Sequence, residues 1–164
     1  VGEDETILHV ALWEPEIPPN TGNVARLCAA TGAALHLIGR LGFRLDNRYL
    51  RRAGLDYWPE VDLRRHATLE EFETARKGSR LFCFSARAAG AYTAVRFQPG
   101  DGLLFGGESQ GLPPGVVERY GERALTIPMP AGKVRSLNLA TAVGIALYEA
   151  LRQIHGWGIE GKIR

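Results

Sequence analysis

The stretch Ile7-Leu8-His9-Val10-Ala11-Leu12-Trp13 runs into Glu14-Pro15-Glu16-Ile17-Pro18-Pro19-Asn20-Thr21-Gly22-Asn23 and then Val24-Ala25-Arg26-Leu27-Cys28. The first seven residues read as a buried strand, and the proline-rich run breaks it. A helix is expected from about Gly22 to Thr31, capped by Asn20 or Thr21 and ended by Gly32. Val24, Leu27, Cys28 and Thr31 would share its inner face. Asn23 and Arg26, three residues apart, would share the face turned away from Val24 and Cys28. Free amide hydrogens at a helix start attract an anion such as phosphate. A capped helix carrying a surface arginine fits the same residues, and spacing alone leaves both readings open.

The rest of the chain repeats this alternation. Strands are expected at Leu35–Ile38, Arg80–Phe84, Gly102–Phe105 and Ala124–Ile127, and helices at Arg48–Ala53, Thr68–Arg76 and Leu139–Ile154. Thr68, with Glu71 three residues on, makes a capping box. Leu139, Ala142, Val143, Ala146, Leu147, Ala150, Leu151 and Ile154 follow helical spacing. Strands alternating with helices predict an α/β fold with a mostly parallel sheet flanked by helices. The 164 residues suit one domain, residues 7–164, preceded by a flexible tail over residues 1–6. Ligands of such sheets gather at the carboxyl ends of the strands. Three segments rich in Gly, Pro or small polar residues fall there, 14–23, 106–114 and 128–138, and together they predict one composite site.

The net charge of +2 is too small to define a nucleic-acid partner, so its distribution matters more. Arg40, Arg44, Arg48, Arg51 and Arg52 lie close together with Asp46 as the single acidic neighbour; Arg64-Arg65-His66 and Lys133-Val134-Arg135 are smaller patches. They suit phosphates or a solvated surface. Tyr57 and Trp58 suit base stacking or core packing. Cys28 and Cys83 read as buried free thiols. The acidic start Val1-Gly2-Glu3-Asp4-Glu5 is no signal peptide, and no apolar run nears the roughly 20 residues that span a bilayer. A cytoplasmic protein without membrane contact is expected. His9, His36, His66 and His155 are scattered and lack metal-ligand spacing, so no metal is expected, and His36 reads as a structural or surface residue rather than a catalytic one. Gly107-Glu108-Ser109-Gln110-Gly111 matches the Gly-x-Ser-x-Gly elbow of serine hydrolases. Leu112-Pro113-Pro114 follows it, however, and resists the helix that an elbow needs. There is neither a Walker loop nor a dinucleotide fingerprint after the first strand.

Three ordered segments carry a resemblance. Glu14 to Asn23 with Arg26-Leu27-Cys28 and Leu50 to Tyr57 form the first; Phe105-Gly106, Glu108 and Gly111-Leu112-Pro113 the second; Ile127-Pro128-Met129 and Arg135-Ser136-Leu137-Asn138-Leu139 the third. Over Leu8 to Ile154 the chain resembles the TrmL (YibK) group of SPOUT-class tRNA 2′-O-methyltransferases, which act on the wobble-position ribose, cytidine or uridine 34. The resemblance implies a C-terminal trefoil knot, an exception to the rule that chains do not thread loops. It also implies a homodimer, tRNA as partner and S-adenosylmethionine as methyl donor. Phe84, Gly106, Ile127, Met129, Ser136 and Leu137 would bind the cofactor. Arg26, Asn20, Asn138 and Glu108 would form the catalytic set, and Arg40, Arg44, Arg51, Arg52 and Arg135 would meet RNA. Gln110 stands where many relatives have arginine, Gly107 where proline is common, and Leu137 and Ala140 where methionine and serine are frequent.

Methyl transfer to a ribose 2′-OH needs both reactants held in line. A guanidinium stays protonated, so the resemblance leaves Arg26 two roles. It assists proton removal together with an RNA phosphate, or it positions the ribose and stabilises the developing oxyanion. The second is favoured on physical grounds. Methylation elsewhere in tRNA or in rRNA, and a non-catalytic RNA-binding module, are the alternatives.

Overall fold

The computed structural model describes residues 4–45 and 58–158. Seven strands, β1 (His9–Trp13), β2 (Ala34–Ile38), β3 (Leu63–His66), β4 (Leu81–Phe84), β5 (Gly90–Ala91), β6 (Gly102–Gly106) and β7 (Ala124–Thr126), form one sheet in the order β3-β2-β1-β6-β4-β7-β5. Every strand pairing is parallel. The helices are α1 (Pro18–Thr31), α2 (Leu69–Ala75), α3 (Val116–Tyr120) and α4 (Leu139–His155).

Helices cover both faces, which is why the central strands are buried almost throughout and, apart from His9 and His36, apolar or glycine. Side chains of successive strand residues point to opposite faces. Val10, Leu12, Leu35, Leu37, Leu103 and Phe105 therefore pack in one core with Val24, Ala25 and Cys28 of α1 and Val143, Ala146, Leu147, Ala150 and Leu151 of α4. Ala11, Ile38, Cys83 and Leu104 pack in a second core with Leu69 and Phe72 of α2 and Val116 and Tyr120 of α3. Both cysteines are free and buried, and burial pushes their thiols up, to about 12 for Cys28 and about 11 for Cys83.

Helix ends follow local chemistry where the needed group is nearby. Gly32 ends α1 in the left-handed region, and its N–H reaches the Cys28 carbonyl. The Thr68 hydroxyl accepts from the Glu71 amide, and the Glu71 carboxylate takes the Ala67 amide. The start of α1 differs from expectation. Pro18 and Pro19, read as breakers, are its first residues, where a missing N–H costs nothing. Asn20 and Thr21 thus lie inside the helix, and Ile17 takes the cap position without a side-chain cap. Strand β3 and helix α3 were not expected. Leu63-Arg64-Arg65-His66 reads as a charged patch because β3 is an edge strand, where charge discourages further pairing. The helix expected at Arg48–Ala53 lies outside the described residues. Within the expected tail, the Asp4 carboxylate pairs with Arg64 at 2.9 Å and Arg76 at 3.0 Å.

Candidate active site

Strands β4, β6 and β7 end at one edge of the sheet, and the segments that follow them surround a cavity of about 550 Å³. That volume falls within the usual range for small-molecule sites, roughly 300–1,000 Å³. Phe84, Gly106, Ile127, Met129, Ser136 and Leu137 all line it, as do Asn20, Glu108, Arg135 and Asn138. Leu112 of the expected segment 106–114 lines it as well; Ser85, Arg87 and Thr126 line it too and were missed, because their proximity depends on strand order, which no local signal carries.

The β6 loop is closed on itself. Gly107 and Gly111 form a bridge, with the Gly111 amide on the Gly107 carbonyl at 3.0 Å. A Cβ on Gly106 would lie 2.1 Å from the Gly111 carbonyl carbon, so only glycine lets the loop fold back. Phe84 and Phe105 stack at 4.7 Å and support the cavity from the sheet. Apolar side chains beside close-folded backbone suit a nucleoside with an aliphatic arm, so these residues fit S-adenosylmethionine.

At the rim three polar side chains interlock. Glu108 Oε1 accepts from the Glu16 amide at 2.7 Å, and Oε2 accepts from the Ile17 amide at 2.9 Å and Asn20 Nδ2 at 3.1 Å. Asn20 Oδ1 accepts from Asn138 Nδ2 at 3.0 Å. Asn138 Oδ1 caps α4 through the Thr141 amide at 3.1 Å. Glu108 therefore satisfies amides at the start of α1 that no local side chain reaches, and its negative charge suits the helix N-terminus. Asn20 uses both ends of its amide, which defines its orientation.

Arg26 is exposed on the outward face of α1 together with Asn23, as spacing predicted. It lies six residues beyond Asn20, a rise of about 9 Å, and does not line the cavity. Arg40 and Arg44 are exposed on the segment after β2. That segment packs on the first loop: the Arg40 amide donates to Glu14 Oε2 at 3.1 Å and the Gly42 amide to the Pro15 carbonyl at 2.9 Å. Arg51, Arg52 and Tyr57 lie outside the described residues. Among the described residues Glu14 is the one non-glycine with positive φ, at 49°, on the turn that leaves β1 for the site.

The hydrolase reading fails on geometry. Ser109 Oγ donates to Glu16 Oε1 at 2.5 Å, no histidine lines the cavity, and β6 enters the glycine bridge rather than a helix. The histidines hold a surprise elsewhere. His9 Nδ1 lies 2.9 Å from His36 Nε2, and His36 Nδ1 lies 2.8 Å from His66 Nε2, a ladder across β1, β2 and β3. In the sequence they stand far apart, and only strand register aligns them.

Residues 7–148 match the SpoU rRNA Methylase family, and the chain belongs to it. Membership implies the α/β knot that the resemblance led one to expect, and the parallel sheet flanked by helices agrees with it. A tRNA (cytidine(34)-2′-O)-methyltransferase of Burkholderia pseudomallei is 47% identical over 158 residues, covering 94% of this chain and 99% of the relative. The protein of that name from Escherichia coli is 45% identical, covering 90% and 94%. A structure described as giving insights into 2′-OH methylation of nucleotide 34 (C or U) on tRNA superposes with a TM-score of 0.86 at 55% identity, covering 94% of this chain and all of that one. The SpoU methyltransferase AviRb of Streptomyces viridochromogenes, in complex with AdoMet, superposes with a TM-score of 0.76 at 28% identity, and the alignment covers 62% of its length.

Proposed function

We propose that this protein is a tRNA ribose 2′-O-methyltransferase that methylates nucleotide 34, cytidine or uridine, with S-adenosylmethionine as methyl donor. The observation that carries the reading is the convergence of Asn20, Glu108 and Asn138 at the rim of the cavity, in a chain covered nearly end to end by relatives of that name.

The donor, when bound, supplies an electrophilic methyl carbon, and the cavity residues Phe84, Gly106, Ile127, Met129, Ser136 and Leu137 hold it. With the donor held there, its methyl group would be available for transfer to the ribose 2′-oxygen, which the residues at the rim would hold in line. Arg26 positions the ribose and stabilises the charge that develops on oxygen, because a protonated guanidinium donates hydrogen bonds and cannot accept a proton. Glu108 accepts three hydrogen bonds. It therefore orients Asn20 and the start of α1 rather than acting as a base. Asn138 ties the α4 cap to the same frame. Arg40, Arg44 and Arg135 meet tRNA phosphates, joined by Arg51 and Arg52 of the same basic run.

The functional unit is a homodimer, supported by exposed Ile17, Val134 and Tyr148, the large apolar side chains that the described fold leaves in solvent. A cytoplasmic setting follows from the tRNA substrate. Among the described residues no helix is long and apolar enough to cross a membrane.

The test is incubation with methyl-labelled S-adenosylmethionine and total tRNA, followed by mapping of the label. Label on the ribose of nucleotide 34 is expected. Label on a base, on another position or on ribosomal RNA alone would replace this reading, and binding without transfer would favour an RNA-binding module.

A further inference from the structure

The rim contains a second carboxylate that the catalytic frame does not use. Glu16 Oε1 accepts from the Ser109 amide at 3.0 Å and from Ser109 Oγ at 2.5 Å. These bonds hold the Glu16 carboxylate below the usual carboxylate range, first through the hydroxyl and then through the amide. The residue before Ser109, Glu108, crosses the same gap in the opposite direction to the Glu16 and Ile17 amides. Two loops thus hold each other through reciprocal carboxylates, and charge-assisted bonds of this kind are the stronger ones. Their parent strands are neighbours, with Trp13 opposite Gly106. No side chain intervenes behind the clasp: a Cβ on Gly107 would lie 2.4 Å from the Glu14 carbonyl oxygen.

What the clasp joins gives it consequence. The first loop leads straight into α1, which carries Asn20 and Arg26. The second, from Gly106 to Leu112, is a wall of the cavity. On the reading proposed above, one loop governs where the ribose sits and the other where the methyl donor sits. We infer that Glu16 and Ser109 are positioning residues for methyl transfer, setting the distance between α1 and the cavity. Neither side chain is needed to build the Asn20–Glu108–Asn138 frame. Ser109 lines the cavity, whereas Glu16 does not. Loss of the Glu16 carboxylate should therefore lower turnover far more than cofactor affinity. In-line transfer is sensitive to displacements of about 1 Å, which can cost on the order of 100-fold.

The experiment compares the unmodified protein with Glu16→Ala, Ser109→Ala, Ser109→Thr and the Glu16→Ala/Ser109→Ala double variant. It measures kcat at saturating tRNA and S-adenosylmethionine, the Kd for S-adenosylhomocysteine by calorimetry, and the melting temperature. Glu16→Ala should lower kcat by about tenfold or more, in the range that misalignment produces, while Kd stays within about threefold. Ser109→Ala should lower kcat less, Ser109→Thr should restore it, and the double variant should be no worse than Glu16→Ala, as expected of two ends of one interaction. Unimpaired kcat in both single variants overturns the inference. So does a Kd that worsens in step with kcat, or a Ser109→Ala penalty undiminished in the Glu16→Ala background. If Glu16→Ala does not fold, Ser109→Ala and Ser109→Thr decide the matter, since Ser109 is exposed. An unmodified protein that transfers no methyl group overturns the methyltransferase reading and this inference with it, whereas an active one with unimpaired variants overturns this inference alone.

Discussion

Acidification should destabilise this fold through the histidine ladder. His9 and His36 are fully buried, with 0% and 1% exposure. Each neutral imidazole has one N–H and one acceptor, so a ladder of three has a direction. The Asp4 carboxylate lies 3.7 Å from His9 Nε2 and can only accept, which favours hydrogen on that nitrogen. His9 Nδ1 then accepts from His36 Nε2, and His36 Nδ1 accepts from His66 Nε2. Burial lowers His9 to about 4, with Arg76 and Arg64 adding to the shift and Asp4 and Asp62 opposing it. Burial lowers His36 to about 3, and His9, His66, Arg64 and Arg76 act in the same direction. The folded values lie below that of an unfolded histidine. Nothing is lost above about pH 6.5; below it the unfolded chain takes up protons that the folded one refuses, and stability falls. At pH 5 each buried histidine costs about 2 kcal/mol, together about 4 kcal/mol, a large part of a typical 5–15 kcal/mol. Urea unfolding followed between pH 7.5 and pH 5 should show this loss. His36→Leu should be less stable at neutral pH but lose only about half as much on acidification. A stability independent of pH over that interval, or an undiminished slope in His36→Leu, would refute the reasoning.

Asn138→Asp should keep the α4 cap while losing the donor to Asn20 Oδ1. Methyl transfer should fall well over tenfold with little change in melting temperature, and a matching loss of both would assign Asn138 to stability alone. Gly106→Ala must displace backbone at 2.1 Å, so it should cost about 3 kcal/mol and weaken S-adenosylhomocysteine binding in calorimetry. Arg26→Ala should retain cofactor binding and lose most transfer, and normal turnover by the purified variant would remove Arg26 from the mechanism. Replacing Arg40 and Arg44 by glutamine should flatten the salt dependence of tRNA binding by about one unit of slope per lost phosphate contact; an unchanged slope returns both to the solvated surface.

Much of the fold was legible because its causes are local. Strands β1, β2 and β6 are buried on both faces and read as largely apolar runs, and Gly32 and Thr68 mark helix ends with their own groups. The start of α1 was misread because Pro18-Pro19 obeys two local rules, breaker and first-turn residue, and the choice rests with a carboxylate some ninety residues away. Strand β3 was missed because an edge strand need not be apolar. The segments that line the cavity were legible from their composition, their individual residues through motif resemblance, and Ser85, Arg87 and Thr126 carried neither mark.

By itself the sequence determined a parallel α/β layer, a site at the carboxyl ends of its strands, and an outward Arg26. Periodicity, caps and motif order depend on residues within a few positions of each other. Only the tertiary structure decided that Glu108 holds the start of α1, that Glu16 and Ser109 close a second clasp beside it, and that three histidines share one ladder. The reason is physical. A hydrogen bond needs its partners about 3 Å apart, and for residues 27 to 93 positions apart only strand order and register bring that about.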